Sequence, residues 1–168
     1  KKRVICTTDL INTQIDIIKK TCQELQLKYD DDCLNFLDQR NHKSVKMPFN
    51  NYIHLHFDEK WIHNKYIKKY TSIEPTKDDL INFIKNLISK NKNIIITTGK
   101  NRSYLLSDIK NDIDSDKVKI FDNQSLLEIE NIVFNSDLLV TCHGWITHIA
   151  GAKKIKQIDI IDSSYPYH

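Results

Sequence analysis

The sequence predicts an α/β protein: a parallel five-stranded sheet with helices on both faces, preceded by an N-terminal strand, helix and linker. Two observations carry this. From residue 52 onward, short runs of Ile, Leu and Val alternate with segments of helical period, the pattern of successive strand–helix–strand units. The strand-like runs are also nearly continuous in apolar residues, as expected for a sheet covered on both sides.

The elements follow in order. Val4-Ile5-Cys6-Thr7 is a short strand. Ile11, Ile15, Ile18, Cys22 and Leu25 recur at helical spacing and mark one helical face, with Asp9 or Asn12 as its cap. Residues 28–50 are polar and irregular; Asp30-Asp31-Asp32 reads as the start of a short helical turn carrying Leu34 and Leu37. Tyr52 to Phe57 is the first strand of the regular region. Asp78 to Lys90 is a helix with the stripe Leu80, Ile81, Ile84, Leu87 and Ile88. Asn93 to Thr98 is the second strand, ending at Gly99, and a helix spans Tyr104 to Ile113. Val118 to Phe121 is the third strand. Leu126, Leu127, Ile129, Ile132 and Val133 mark a helix for which Ser125 and Glu128 form a capping box. Asp137 to Thr141 is the fourth strand, Trp145 to Lys153 a short helix, and Gln157 to Ile161 the fifth strand. The division expected is residues 1–50 as the remnant of a preceding domain with its connecting helix and linker, and 51–168 as a Rossmann-like domain. The chain starts Lys1-Lys2-Arg3 without Met, so a fragment of a longer protein is expected.

Composition removes several function classes. Glycine occurs 3 times in 168 residues, where average usage would give ~12. No G-x-G and no G-K-[ST] is present, so the dinucleotide fingerprint and the P-loop are absent. Basic residues exceed acidic ones by only 25 to 22, and the lysines are scattered among Asp and Glu, which argues against nucleic acid as a partner. Cys6, Cys22, Cys33 and Cys142 match no zinc or disulfide spacing and fit a reducing compartment, hence the cytoplasm. No apolar run reaches the ~18 residues of a membrane span.

Ligands of open parallel sheets bind beyond the carboxyl ends of the strands. The loops there supply Lys60, Gly99, Lys100, Asn101, Arg102, Ser125, His143, Gly144 and His148, a set suited to an anion such as a diphosphate. The loop from Cys142 to His148 is the most informative. Gly144 lets the chain turn from strand to helix, the first-turn N–H groups favour phosphate, and His148 is near enough to donate to it. A metal is not expected: His143 and His148 lack a third ligand, and His54 and His56, on one face of a strand, read as packing or a polar strand end. Cys142 and His143 point to opposite sides of a strand end, and no Asp or Asn is assignable as an orienting partner, so a thiol nucleophile is not expected.

The run Ser125-Leu126-Leu127-Glu128-Ile129, then Asn135 to Val140, then Thr141-Cys142-His143-Gly144-Trp145-Ile146-Thr147-His148-Ile149-Ala150-Gly151-Ala152, resembles the C-terminal domain of GT-B glycosyltransferases. It is most similar to the ADP-heptose:lipopolysaccharide heptosyltransferase family. On that pattern His148 takes the family's histidine, and Ala150 and Ala152 its small helix residues. Ile53 to His56 with Lys60-Trp61 resembles the family's strand and phosphate-binding turn, and Ile94 to Gly99 its next donor-side strand. The resemblance covers roughly residues 52–162 and leaves 1–28 as the end of an acceptor domain. The family's loop Asp is His143 here, its Gly falls at Trp145 or Gly144, and no acidic residue follows Gly99.

The resemblance implies a metal-free, cofactor-free transfer from a nucleotide-diphosphate sugar to a glycan or lipopolysaccharide-type glycolipid. It implies donor binding by Lys60, Gly99, Lys100, Asn101, Ser125, His143, Gly144, Trp145 and His148, and a catalytic base in a missing N-terminal domain. That domain leaves room for peripheral association with the inner face of the membrane. Two alternatives stand beside it. A nucleotide-sugar 2-epimerase-like enzyme would share the two-domain fold and His-Gly loops and would need no acceptor. A non-enzymatic flavodoxin-like interaction module would bind no nucleotide; Asp58, Glu59 and Asp122 are its weak acidic candidates.

Overall fold

The computed structural model describes residues 14–30, 46–58, 76–99, 109–113 and 116–160. The expected strand at Val4, the turn after Asp30-Asp31-Asp32, the first part of the helix from Tyr104, and the residues Lys60, Trp61, Lys100, Asn101 and Arg102 lie outside them. The chain divides into two units, Lys1–Arg40 and Asn41–His168. In the first, α1 (Gln14–Glu24) stops where Gln26 turns left-handed at φ 56°. The N–H of Leu27 then reaches back to the Cys22 carbonyl at 2.8 Å, satisfying one of the carbonyls a helix end leaves open.

The second unit holds the sheet. Its elements are β1 (Ile53–Phe57), α2 (Lys77–Ser89), β2 (Ile94–Thr98), β3 (Val118–Phe121), α3 (Leu126–Phe134), β4 (Leu138–Cys142), α4 (Trp145–Ala152) and β5 (Gln157–Ile160). The five strands lie in the order β3-β2-β1-β4-β5, and every neighbouring pair is parallel. This is the expected α/β Rossmann-like architecture. The boundaries differ from the sequence reading by a residue at most ends, as frayed ends commonly do.

The order explains how both faces are covered. From β1 the chain steps outward through β2 to β3, then returns to place β4 on the other side of β1. Right-handed crossovers in opposite directions put their helices on opposite faces. On one face, Ile53, Leu55, Phe57, Ile94, Ile96, Val140 and Cys142 pack with Leu80, Ile81 and Ile84 of α2 and with Ile109. On the other, Ile129 and Val133 of α3 and Ile146 and Ala150 of α4 pack on Leu139, while Tyr52 and Ile95 meet Ile132.

Local chemistry starts α2 and α3. Thr76 accepts from the N–H of Asp79 at 3.2 Å, and the Asp79 carboxylate accepts from the N–H of Thr76 at 2.9 Å. Ser125 and Glu128 form the same reciprocal box at the head of α3, as the sequence predicts. These hydrogen bonds hold both carboxyls below their ordinary range. For Asp79 the backbone N–H of Thr76 is the larger cause, and for Glu128 the Ser125 hydroxyl. Among the described residues no helix is long and apolar enough to cross a membrane.

Candidate functional site

The strand order reverses between β1 and β4, and a crevice at such a switch point is where open α/β sheets bind ligands. The residues at these carboxyl ends are unlike the rest of the sheet. In register across the strands, Thr97 lies beside His56, His56 beside Thr141, and Thr141 beside Asp159. Neighbours in register share a face, so these four make one polar row across β2, β1, β4 and β5. Thr97, His56 and Thr141 are buried to 1 % exposure or less. A fully covered parallel sheet ordinarily carries Val, Ile and Leu there. Local rules broken together in this way mark functional sites.

The row is tied to the sheet interior through one hydroxyl. His54 Nε2 lies 2.7 Å from Thr97 Oγ1, and His56 Nδ1 lies 2.8 Å from the same oxygen. The hydroxyl has one proton to give, so at most one of these ring nitrogens can accept from it. His54 Nδ1 is buried with no partner among the described residues. A bare lone pair is cheaper to leave unpaired than an N–H. We therefore assign the His54 proton to Nε2, donating to Thr97, which in turn donates to His56 Nδ1. Burial, and then the neighbouring His56, hold His54 well below the ordinary histidine range, so it is neutral. The His56 ring meets Trp145 edge-on, with centroids 6.1 Å apart.

The loop after β4 completes the rim. α4 begins at Gly144 with no side-chain cap, in contrast to the boxed starts of α2 and α3. Thr147 closes the first turn by donating both its N–H, at 3.1 Å, and its hydroxyl, at 2.7 Å, to the Gly144 carbonyl. The N–H groups of Trp145 and Ile146 have no intrahelical carbonyl to reach, and the helix dipole adds partial positive charge there. Beside this turn His143 Nδ1 lies 2.7 Å from Asp159 Oδ2, and the His148 ring stands edge-on to His143 with centroids 5.5 Å apart.

The structure thus gathers His143, Gly144, Trp145 and His148 at one place. Gly99 is half-buried directly after β2, the strand next to β1. Ser125 follows β3, the edge strand, and its hydroxyl donates to Glu128 at 2.7 Å within its own cap. Cys142 is buried in the apolar cluster on the opposite face. Sequence reasoning found no orienting acid for His143, but Asp159 is one, brought from β5 by strand pairing. The reading of His54 and His56 as packing or a polar strand end fits their burial against Thr97, while Thr97 itself has no role in the sequence reading. The one signal available was a polar interruption near the end of each strand. Among the described residues no three His, Cys, Asp or Glu converge to hold a metal ion. A cleft of about 410 Å³ opens at the amino ends of the strands, lined by Asn51, Tyr52, Asn93 and Asp137. It lies across the sheet from this chemistry.

No family model matches the chain, and no curated protein matches its sequence. Its fold does match solved structures. One is a protein assigned as a UDP-N-acetylglucosamine 2-epimerase from Listeria monocytogenes, with TM-score 0.58 and 11% identity over 89% of this chain and 41% of that one. Another is the UDP-GlcNAc 2-epimerase of Methanocaldococcus jannaschii in complex with UDP-GlcNAc and UDP, with TM-score 0.53 and 16% identity over 87% of this chain and 42% of that one. The chain spans about two-fifths of the length of each. This corrects the expected heptosyltransferase-like function, because the neighbours are described as 2-epimerases rather than transferases. The reason is physical. A strand, a tight turn and a helix N-terminus suit a nucleoside diphosphate whatever is then done to the sugar, so the motif reports the phosphate end alone. The acceptor, the lipopolysaccharide role and the membrane association expected with that reading go with it.

Proposed function

We propose that this chain is the nucleotide-binding half of an enzyme of the 2-epimerase kind, acting on a nucleoside-diphosphate sugar such as UDP-GlcNAc. The observation that carries the reading is the uncapped start of α4 at the β1/β4 switch point, in a fold shared with a neighbour described in complex with UDP-GlcNAc and UDP. In this reading the diphosphate sits against the N–H groups of Trp145 and Ile146, with His143 and His148 beside it and Trp145 toward the sugar. Lys60, Lys100 and Asn101, which follow β1 and β2 in sequence, are proposed as further donors to it, with Gly99 leaving room for the ligand. Inverting C2 of the sugar requires its proton to leave one face and return on the other. A span of two-fifths of such an enzyme binds the nucleotide and does not complete that reaction alone.

The test is calorimetric titration of the chain with UDP and UDP-GlcNAc, repeated with Gly144→Asp. Aspartate is among the best N-caps, so the variant keeps its helix and its melting temperature. Its carboxylate occupies the phosphate position, and UDP affinity falls by at least about ten-fold, or ~1.4 kcal/mol. Absence of UDP binding by the parent, or equal affinity in the variant, overturns the reading.

A further inference from the structure

We infer that Asp159 is a positioning residue for His143, accepting from Nδ1–H so that the ring, when it carries a second proton, donates Nε2–H to the ligand's phosphates. The inference rests on the nucleotide-binding reading above and deepens it. An ionised carboxylate only accepts hydrogen bonds. At 2.7 Å from Asp159 Oδ2, His143 Nδ1 is therefore the protonated, donating nitrogen. That edge of the ring is committed, and whatever else the ring binds it binds through the other.

Three further features support a built pair rather than a surface contact. The backbones of both residues are held by the β4–β5 ladder: Thr141 and Asp159 are in register, and the N–H of His143 donates to the Ile160 carbonyl at 3.0 Å. The pair is half-buried, with side-chain exposures of 28% for His143 and 22% for Asp159, so an ion pair here is less screened than one on the open surface. Finally, Asp159 Oδ1 is buried and no donor among the described residues reaches it. A carboxylate serving stability alone is expected to use both oxygens, because a buried acceptor left unmatched is costly. The His148 ring bounds His143 on a further side, at 5.5 Å between centroids. The imidazole is thus held beside the open N-terminus of α4 by groups from β5 and α4 together.

The experiment reads the ring directly and then the ligand. In the 15N-histidine-labelled chain at pH 8, long-range proton–nitrogen correlation should find His143 as the Nδ1–H tautomer. Asp159→Ala should release it toward the Nε2–H form that free histidine prefers. Asp159→Asn, whose amide oxygen still accepts, should keep Nδ1–H. UDP titration should then show about a ten-fold loss of affinity in Asp159→Ala, as expected for misplacing one charge-assisted hydrogen bond from the protonated ring to a phosphate oxygen, with most of it restored in Asp159→Asn, which still orients the ring. In a His143→Ala background, Asp159→Ala should cost nothing more. An unchanged tautomer in Asp159→Ala, or losses that simply add in the double variant, overturn the inference. Failure of the parent to bind UDP instead sinks the nucleotide reading and the phosphate half of this one, while the tautomer arm still decides whether Asp159 sets the ring.

Discussion

The two faces of the sheet come from the same five strands and have opposite characters. On the α2 side, Ile53, Leu55, Phe57, Ile94, Ile96, Val140 and Cys142 form a dry layer. On the α3/α4 side, the intervening positions read Tyr52, His54 and His56 in and before β1, Ile95 and Thr97 in β2, and Leu139 and Thr141 in β4, all buried. This face starts apolar at the amino ends and becomes polar toward the carboxyl ends, where β4 hands over to α4. The difference teaches where the fold spends its stability. The dry face holds the sheet together, and the wet face gives up apolar contact to place hydrogen-bonding groups beneath the rim.

The comparison breaks most readily on the dry face. Ile96→Ala removes a fully buried side chain and is expected to cost about 2–5 kcal/mol, read as a lower urea midpoint at unchanged slope. Across the sheet, Thr97→Val keeps the shape and removes the hydroxyl shared by His54 and His56. We expect a loss of about 1–3 kcal/mol from the ring nitrogens left unmatched. If this loss equals or exceeds that of Ile96→Ala, the two faces do not divide their work as described.

A smaller effect sharpens the contrast, because the α3/α4 face carries the buried histidine His54. His54 is held neutral in the fold, below its ordinary value of 6.5, while the unfolded chain protonates normally. Below about pH 6.5 the unfolded state therefore binds a proton that the folded state refuses. Stability falls as pH drops, by at most ~1.4 kcal/mol per unit for one such group. The window from pH 6.5 to 5 lies above the range in which Asp79 and Glu128 matter, since their ordinary values are 3.8 and 4.5. His54→Gln retains a donor to Thr97 without a titrating ring, so its denaturation midpoint should change less between pH 7.5 and 5.5 than that of the parent. Equal changes would remove His54 as the source.

The dry face was also the legible one. Its residues sit in continuous apolar runs or at helical spacing, and these local patterns predict five strands, the helices between them and the Ser125–Glu128 cap. Half of the candidate site was legible too, since His143, Gly144, Trp145 and His148 lie in one loop whose position follows from the topology. The rest depends on strand pairing. Asp159 reaches His143 only because β5 lies beside β4, and Thr97 links two histidines only because β2 aligns with β1 in one register. Neither partner carries a local mark. What a bound ligand would undergo was less legible still, because a helix N-terminus after a strand suits phosphate whatever the reaction.

Three helices of this chain, α1, α2 and α4, end on Gln26, Asn91 and Lys154, each with φ between 56° and 60°, the corner most often given to glycine. Lys92 and Ile155 complete the return by donating to Leu87 and Ala150 at 3.1 and 2.9 Å, so the corners are sound in geometry while carrying side chains that resist them. Asparagine and lysine are spelled by codons rich in A, and glycine by codons that begin GG. A coding bias toward A and T would favour such residues over glycine at helix exits, at the cost of a strained corner.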